Sequence, residues 1–139
     1  MCARLRQKVT RPGIVDSHCA VLVVEDDPAI RRLCKMVLQR EGCSVEEAAD
    51  GIEAVLKLGL AEFDVIVLDL MMPNLDGFAF IDTLAKNDPK RLNRIIVTSA
   101  ASPAVIRDRL KGKPYAVLPK PFDIAALVAK VKEVIANGH

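Results

Sequence analysis

Five short apolar runs alternate with five longer stretches in which apolar residues recur at helical spacing. The runs fall at about 20–25, 43–48, 64–69, 94–98 and 115–118. Between them, Ile30, Leu33, Val37 and Leu38 define one amphipathic helix, with Arg31, Arg32 and Lys35 on its other faces. A second is given a buried face of Ile52, Val55 and Leu56. A third is built on Phe78, Ile81 and Leu84 and ends near 86–88, and the last carries Leu127, Val128, Val131 and Ile135. Start signals sharpen the pattern: Asp27-Pro28, Asp50, Ser102-Pro103 and Asp123 are candidate N-caps, because a side-chain oxygen there can accept from the free N–H groups of a first turn. Gly42 stops the first helix, and Gly112 with Pro114 stops the fourth. Strand–helix alternation with helices of about ten residues predicts right-handed βαβ crossovers and a parallel sheet, an α/β domain.

Composition narrows this further. A chain of 139 residues fits one domain, and 51% hydrophobic with 27% charged residues excludes a disordered polymer. Aromatics make up 4% and Trp is absent, so the core must be aliphatic, which suits a sheet covered by helices on both faces. The net charge of +2 is uneven: Arg4, Arg6, Lys8 and Arg11 face only Asp16 in the first twenty residues, while the remainder is slightly acidic. Residues 1–19 are therefore read as a basic, partly disordered leader and 20–137 as the folded domain. Four cations without interleaved aromatics make a poor nucleic-acid site, so no direct nucleic-acid contact is expected. No apolar stretch is long enough to span a membrane, and the leader lacks the apolar middle of a signal peptide. Cys2, Cys19, Cys34 and Cys43 show no metal-ligand spacing; Cys34 and Cys43 are expected as buried free thiols in a reduced, cytoplasmic protein.

The chemistry sits at strand ends. Asp69 closes Val65-Ile66-Val67-Leu68, Glu25-Asp26-Asp27 follows Ala20-Val21-Leu22-Val23-Val24, and Lys120 stands in Leu118-Pro119-Lys120-Pro121-Phe122. Open α/β sheets place ligands beyond the carboxyl ends of their strands. If the first and third strands are neighbours, Glu25, Asp26 and Asp69 share one rim. Like charges about 4 Å apart repel by roughly 4 kcal/mol at an effective dielectric near 20, so such a site holds a proton or a cation. Mg²⁺ (or Mn²⁺) takes one or two carboxylates directly. Asp26 and Asp69 are the candidate direct ligands, with the Met71 backbone carbonyl beside them and Glu25 acting through water. Asp69 would keep one oxygen free to attack phosphorus, while Lys120 and the Thr98 hydroxyl would neutralise and bind phosphoryl oxygens. The Lys120–Pro121 bond could be cis, which would aim the lysine.

These residues resemble the receiver domain of bacterial two-component response regulators. The likeness runs through Val21–Asp27, Val65–Gly77, Ile95–Ala100 and Pro119–Phe122, and covers about 20–136. It implies a flavodoxin-like, doubly wound five-stranded sheet of order 2-1-3-4-5 with five helices. Asp69 becomes the phospho-acceptor, Glu25 and Asp26 the acidic pair, Thr98 the switch hydroxyl and Lys120 the phosphoryl-contacting lysine. The phosphoryl donor is then a phosphohistidine of a sensor histidine kinase or phosphotransfer protein. The output is a downstream protein docked on the fourth helix, fifth strand and fifth helix, where Arg107, Arg109, Lys111 and Lys113 stand beside Ala104 and Val105. Such a protein is a switch, accelerating only its own phosphorylation and dephosphorylation, and is expected as a monomer or weak dimer. Two departures stand out. Val117 occupies the place of the family's usual switch aromatic, with Tyr115 two residues earlier. Met71, two after the acceptor, is long and apolar, which predicts a long-lived phosphorylated form.

Three other readings compete. A Mg²⁺ phosphohydrolase with an aspartyl nucleophile, of the haloacid dehalogenase-like kind, needs a second Asp where Met71 stands. A pseudo-receiver would keep the fold and bind partners without phosphorylation, against the complete set of Asp69, Thr98, Lys120 and an acidic pair. The chain could also be a receiver fragment of a larger regulator or hybrid kinase.

Overall fold

The computed structural model describes residues 19–72, 74–110 and 112–137. Strands β1 (Cys19–Val24), β2 (Cys43–Ala48), β3 (Val65–Asp69), β6 (Ile95–Ser99) and β7 (Ala116–Pro119) form one parallel sheet in the order β2-β1-β3-β6-β7. Because β4 (Met71–Met72) and β5 (Leu75–Asp76) pair only with each other, β6 and β7 are the fourth and fifth strands of the sheet, and the expected order 2-1-3-4-5 holds. Helices α1 (Pro28–Arg40), α2 (Gly51–Leu60), α3 (Gly77–Asn87), α4 (Pro103–Arg109) and α5 (Ile124–Ala136) make the crossovers.

Alternation along the strands splits the core into two layers. Leu22, Val24, Ile66, Leu68, Ile95 and Val97 meet Ala54, Phe78, Ile81 and Ile106 on one face. Val21, Val23, Val65, Val67 and Ile96 meet Cys34 and Leu38 of α1 and Leu127, Val131 and Val134 of α5 on the other. Each large aliphatic side chain taken fully out of water contributes about 1.5–3 kcal/mol, so a central strand buried on both faces anchors the sheet. The expected caps form: Asp27 accepts from Ala29 and Ile30, Asp50 from Glu53, Ser102 from Val105 and Asp123 from Ala125. Gly42 follows the end of α1.

The sequence did not predict the β4–β5 ribbon, the Asp76 cap of α3 or the 3-10 turn Pro89–Arg94. The ribbon turns through Asn74 at φ 63°, and it puts Gly77 against the chain just after the acceptor strand. A Cβ on Gly77 would stand 2.6 Å from the Leu70 carbonyl oxygen, so only glycine fits there.

Three expectations are corrected. Ile52, Val55 and Leu56 are not the buried face of α2; they are more than half exposed, and Gly51 and Ala54 are buried instead. The helix seats so closely that a Cβ on Gly51 would collide with Asn74 and Leu75, so small residues face inward and large ones project. Leu33 is likewise 47% exposed, its place in the α1 core taken by Cys34 and Leu38. Cys43 is not a free thiol: it is disulfide-bonded to Cys19, while Cys34 is buried and free. The two cysteines lie 24 apart in sequence, yet the β1–β2 register sets them side by side at a Cα separation of 4.8 Å. The basic leader, apart from Cys19 at the head of β1, lies outside the described residues, as do Pro73 and Lys111.

Candidate functional site

At the carboxyl rim, β3 ends on Asp69 and β1 runs directly into Glu25 and Asp26. The Glu25 N–H still donates to the Ala48 carbonyl at 3.1 Å, extending the ladder one residue and fixing where the acidic pair begins. Ligand oxygens of Glu25, Asp26 and Asp69 all lie within 4.8 Å of one another. Glu25 and Asp69 are each 3% exposed, whereas Asp26 faces solvent. The Met71 N–H donates to Asp69 Oδ1 at 3.1 Å, which holds the Met71 peptide against the acceptor carboxylate. The Met71 side chain stands 57% exposed at the same rim.

Lys120 arrives from β7, fifty-one residues from Asp69 in sequence. Its N–H donates to the Ser99 carbonyl at 2.7 Å, and the Lys120–Pro121 bond is cis. The ammonium donates to Asp69 Oδ2 at 3.0 Å and reaches both Glu25 oxygens, at 2.9 and 3.1 Å. Thr98 pairs in register with Asp69 across β3–β6, is 1% exposed, and its buried hydroxyl has no hydrogen-bond partner. All five predicted side chains therefore converge.

Burial pushes the Glu25 carboxyl up to about 7, although the Lys120 hydrogen bond pulls the other way. For Lys120, burial pulls the pKa down, but hydrogen bonds to Glu25 and Asp69 outweigh it and the net shift is upward. One ammonium thus holds two buried carboxylates, and the third acid faces outward. Hard oxygen donors clustered this way suit a divalent cation of the Mg²⁺ type. The orphaned Thr98 hydroxyl suits an additional oxyanion, since a buried hydroxyl without a partner is rare in a native interior.

The aromatic departure has a structural answer. Val117 is exposed on β7, and Tyr115 precedes that strand with its hydroxyl donating to Glu133 at 2.8 Å and accepting from Asn137 at 3.3 Å. The tyrosine is tied to α5 at the amino end of the sheet, opposite the acidic rim.

Sequence reasoning missed Arg31. It is placed only on the face of the first helix away from the apolar stripe, yet its Nη1 donates to the Glu25 carbonyl at 2.9 Å and its Nε to Glu47 Oε1 at 3.1 Å. The available signal was its position in the first turn of α1, on the helix that begins directly after the acids.

Residues 21–132 match the response regulator receiver domain model. The chain is 35% identical over 136 residues to the sensor kinase CckA of Brucella abortus, covering 96% of this chain and 14% of that protein. Among solved structures, the receiver domain of the Francisella response regulator 1452 superposes with a TM-score of 0.76 at 32% identity, covering 87% of this chain and 99% of that one. The response regulator TrrA of Thermotoga maritima, solved in complex with Mg²⁺ and BeF, gives 0.71 at 32% identity, covering 84% and 98%. The chain belongs to the response regulator receiver domain family of two-component signalling. It spans about half the length of several transcriptional regulators that it also matches. Receivers as a family are phosphorylation-dependent switches that bind Mg²⁺ and meet sensor kinases and downstream targets. Among the described residues no helix is long and apolar enough to cross a membrane.

Proposed function

We propose that this chain is a phosphorylation-dependent switch in which Asp69 takes a phosphoryl group from a phosphohistidine on a sensor kinase or phosphotransfer protein. One Asp69 oxygen attacks phosphorus, the P–N bond breaks, and the departing imidazole nitrogen keeps the electron pair. A divalent cation held by Asp26, Asp69 and the Met71 carbonyl, with Glu25 through water, would offset charge on the phosphoryl oxygens. Lys120 transfers its hydrogen bond from Asp69 to the arriving phosphoryl group, and the Thr98 hydroxyl donates to another of its oxygens. The observation that carries this reading is the Lys120 ammonium 3.0 Å from Asp69 beside a buried hydroxyl with no partner.

An apolar groove of about 380 Å³ opens beside Lys120, lined by Ile30, Leu33, Ala100, Pro121 and Phe122. Lys120, which lines it, also donates to the acceptor Asp69, and this supports docking of the phosphohistidine protein there, with Leu33 exposed in its wall. Output runs through α4, β7 and α5 to a downstream protein with an acidic or mixed surface. Arg107, Lys113 and Val105 are all exposed, while Arg109 stacks 4.1 Å over the Phe78 ring. We place the protein in the cytoplasm, as a switch and not a turnover enzyme. A second reading, as the receiver portion of a longer regulator or hybrid kinase, draws on the part-length matches.

Incubation with acetyl phosphate and Mg²⁺ tests the proposal by mass spectrometry. The wild type gains one phosphate and Asp69→Asn gains none while remaining folded. A wild type that gains no mass is a pseudo-receiver, and steady turnover of a phosphomonoester would make it a phosphohydrolase.

A further inference from the structure

We infer that Arg31 is a positioning residue for the cation site, acting through the peptide that joins Glu25 to Asp26. The inference rests on the reading of Asp26 as a direct ligand. Asp26 is the exposed member of the acidic cluster, and no hydrogen bond or ion pair of the described residues restrains its side chain, so its place depends on its backbone. The Glu25 carbonyl, which accepts from Arg31 Nη1 at 2.9 Å, belongs to the peptide leading into the Asp26 Cα. The other side of Glu25 is already fixed, because its N–H donates to Ala48. Past Asp26, the Asp27 N–H donates to Glu25 Oε2 at 3.2 Å. Arg31 thus supplies the missing restraint between two fixed points.

Arg31 is itself held. Glu47, at the carboxyl end of β2, accepts from Arg31 Nε at 3.1 Å through Oε1 and from Lys35 at 3.1 Å through Oε2. Hydrogen bonding from Lys35, and then from Arg31, holds the Glu47 carboxyl below its ordinary range, although burial opposes this. The guanidinium fork is what permits the arrangement: one planar group reaches a carboxylate and a carbonyl at once, which a lysine cannot do in the same geometry. The edge strand of the sheet is therefore coupled to the acidic loop through one side chain.

The sign of the effect separates positioning from simple charge. Arg31 is a cation close to a proposed cation site, so removing its charge alone would tighten Mg²⁺ binding. Losing the partner that orients a ligand instead weakens metal affinity, typically about 10–100-fold. Calorimetric titration of the unphosphorylated chain with Mg²⁺ decides between them. We expect Arg31→Ala to weaken binding about tenfold or more, and Arg31→Lys, which keeps the charge and loses the fork, to weaken it as well. Arg31→Lys, which leaves the local charge unchanged and keeps most of the side chain's bulk, also covers the case in which Arg31→Ala does not fold. Unchanged or tighter binding in the Arg31 variants, with a wild type that binds Mg²⁺, overturns the inference and leaves the proposed function standing. A wild type that binds no Mg²⁺ removes both.

Discussion

The two ends of the same sheet are built on opposite principles. At the amino rim the polar and sulfur groups satisfy one another: Cys19 and Cys43 are bonded, Asp64 accepts from the Ala20 N–H at 2.8 Å, and Tyr115 is tied to Glu133 and Asn137. At the carboxyl rim the same strands deliver two buried carboxylates to one ammonium, a third acid to solvent and a hydroxyl to nothing. A fold tolerates such unsatisfied chemistry where function needs it and meets the cost elsewhere. One rim is closed and stabilising; the other is left incomplete for a charged ligand.

Lys120→Ala should break this contrast most severely. Without the ammonium, Glu25 and Asp69 face each other buried, and removing one partner from a buried charge cluster typically costs about 3–5 kcal/mol. Thermal unfolding should show a large loss at neutral pH, and Mg²⁺ should restore more stability to this variant than to the wild type. Some phosphate uptake from acetyl phosphate should survive, but partner binding, read by pull-down with and without a beryllofluoride adduct, should no longer respond. Normal coupling in the variant would remove Lys120 from the switch.

Opening the disulfide tests the closed rim. A bond closing a loop of this separation restricts the unfolded chain by about 3 kcal/mol. Reduction by dithiothreitol, or Cys43→Ser, should lower stability by about that amount while Mg²⁺ affinity and phosphate uptake stay unchanged, since the active groups lie at the far end of the strands. In a reducing cytoplasm the register would hold the two thiols adjacent and unbonded.

The legibility of the two rims differs for a physical reason. Asp69, Glu25, Asp26, Thr98 and Lys120 could be placed from sequence because continuous apolar runs fix where buried strands stop, and the residue after the stop lands on the rim. Arg31 could not, because an arginine on an amphipathic helix looks alike whether it faces water or a carbonyl. The α2 face was misread for the reverse reason. Spacing locates a stripe of Ile52, Val55 and Leu56, but close seating of Gly51 and Ala54 decides which side goes in. The Cys19–Cys43 pair needed the β1–β2 register, which no spacing along the chain encodes.

The pH dependence of the open rim follows from Glu25. Burial raises its carboxyl from the ordinary 4.5 to about 7, so the folded state binds a proton that the unfolded state releases. The associated stabilisation is complete below about pH 4.5 and is lost as pH rises through about 7, amounting to about 3 kcal/mol at most. Unfolding of the chain in EDTA, compared with Glu25→Gln, should show this extra decline in the wild type alone. A parallel pH dependence in both proteins would remove Glu25 as its source.

The smallest expected effect belongs to the closed rim and bears on the missing aromatic. Tyr115 is the only tyrosine and Trp is absent, so the ultraviolet absorbance of the phenolate reports this one residue. Its hydroxyl donates to Glu133, a contact that favours the protonated phenol, so it should titrate above the ordinary value of 10. Glu133→Gln should bring that titration back down, because the charge that opposes ionisation is gone. A ring that swung inward on phosphorylation would have to give up this hydrogen bond, and the titration would fall on adding beryllofluoride and Mg²⁺. With Val117 at the family's aromatic position and Tyr115 anchored to α5, we expect the phenol to titrate identically with and without the adduct, leaving the movement of α4 to carry the signal.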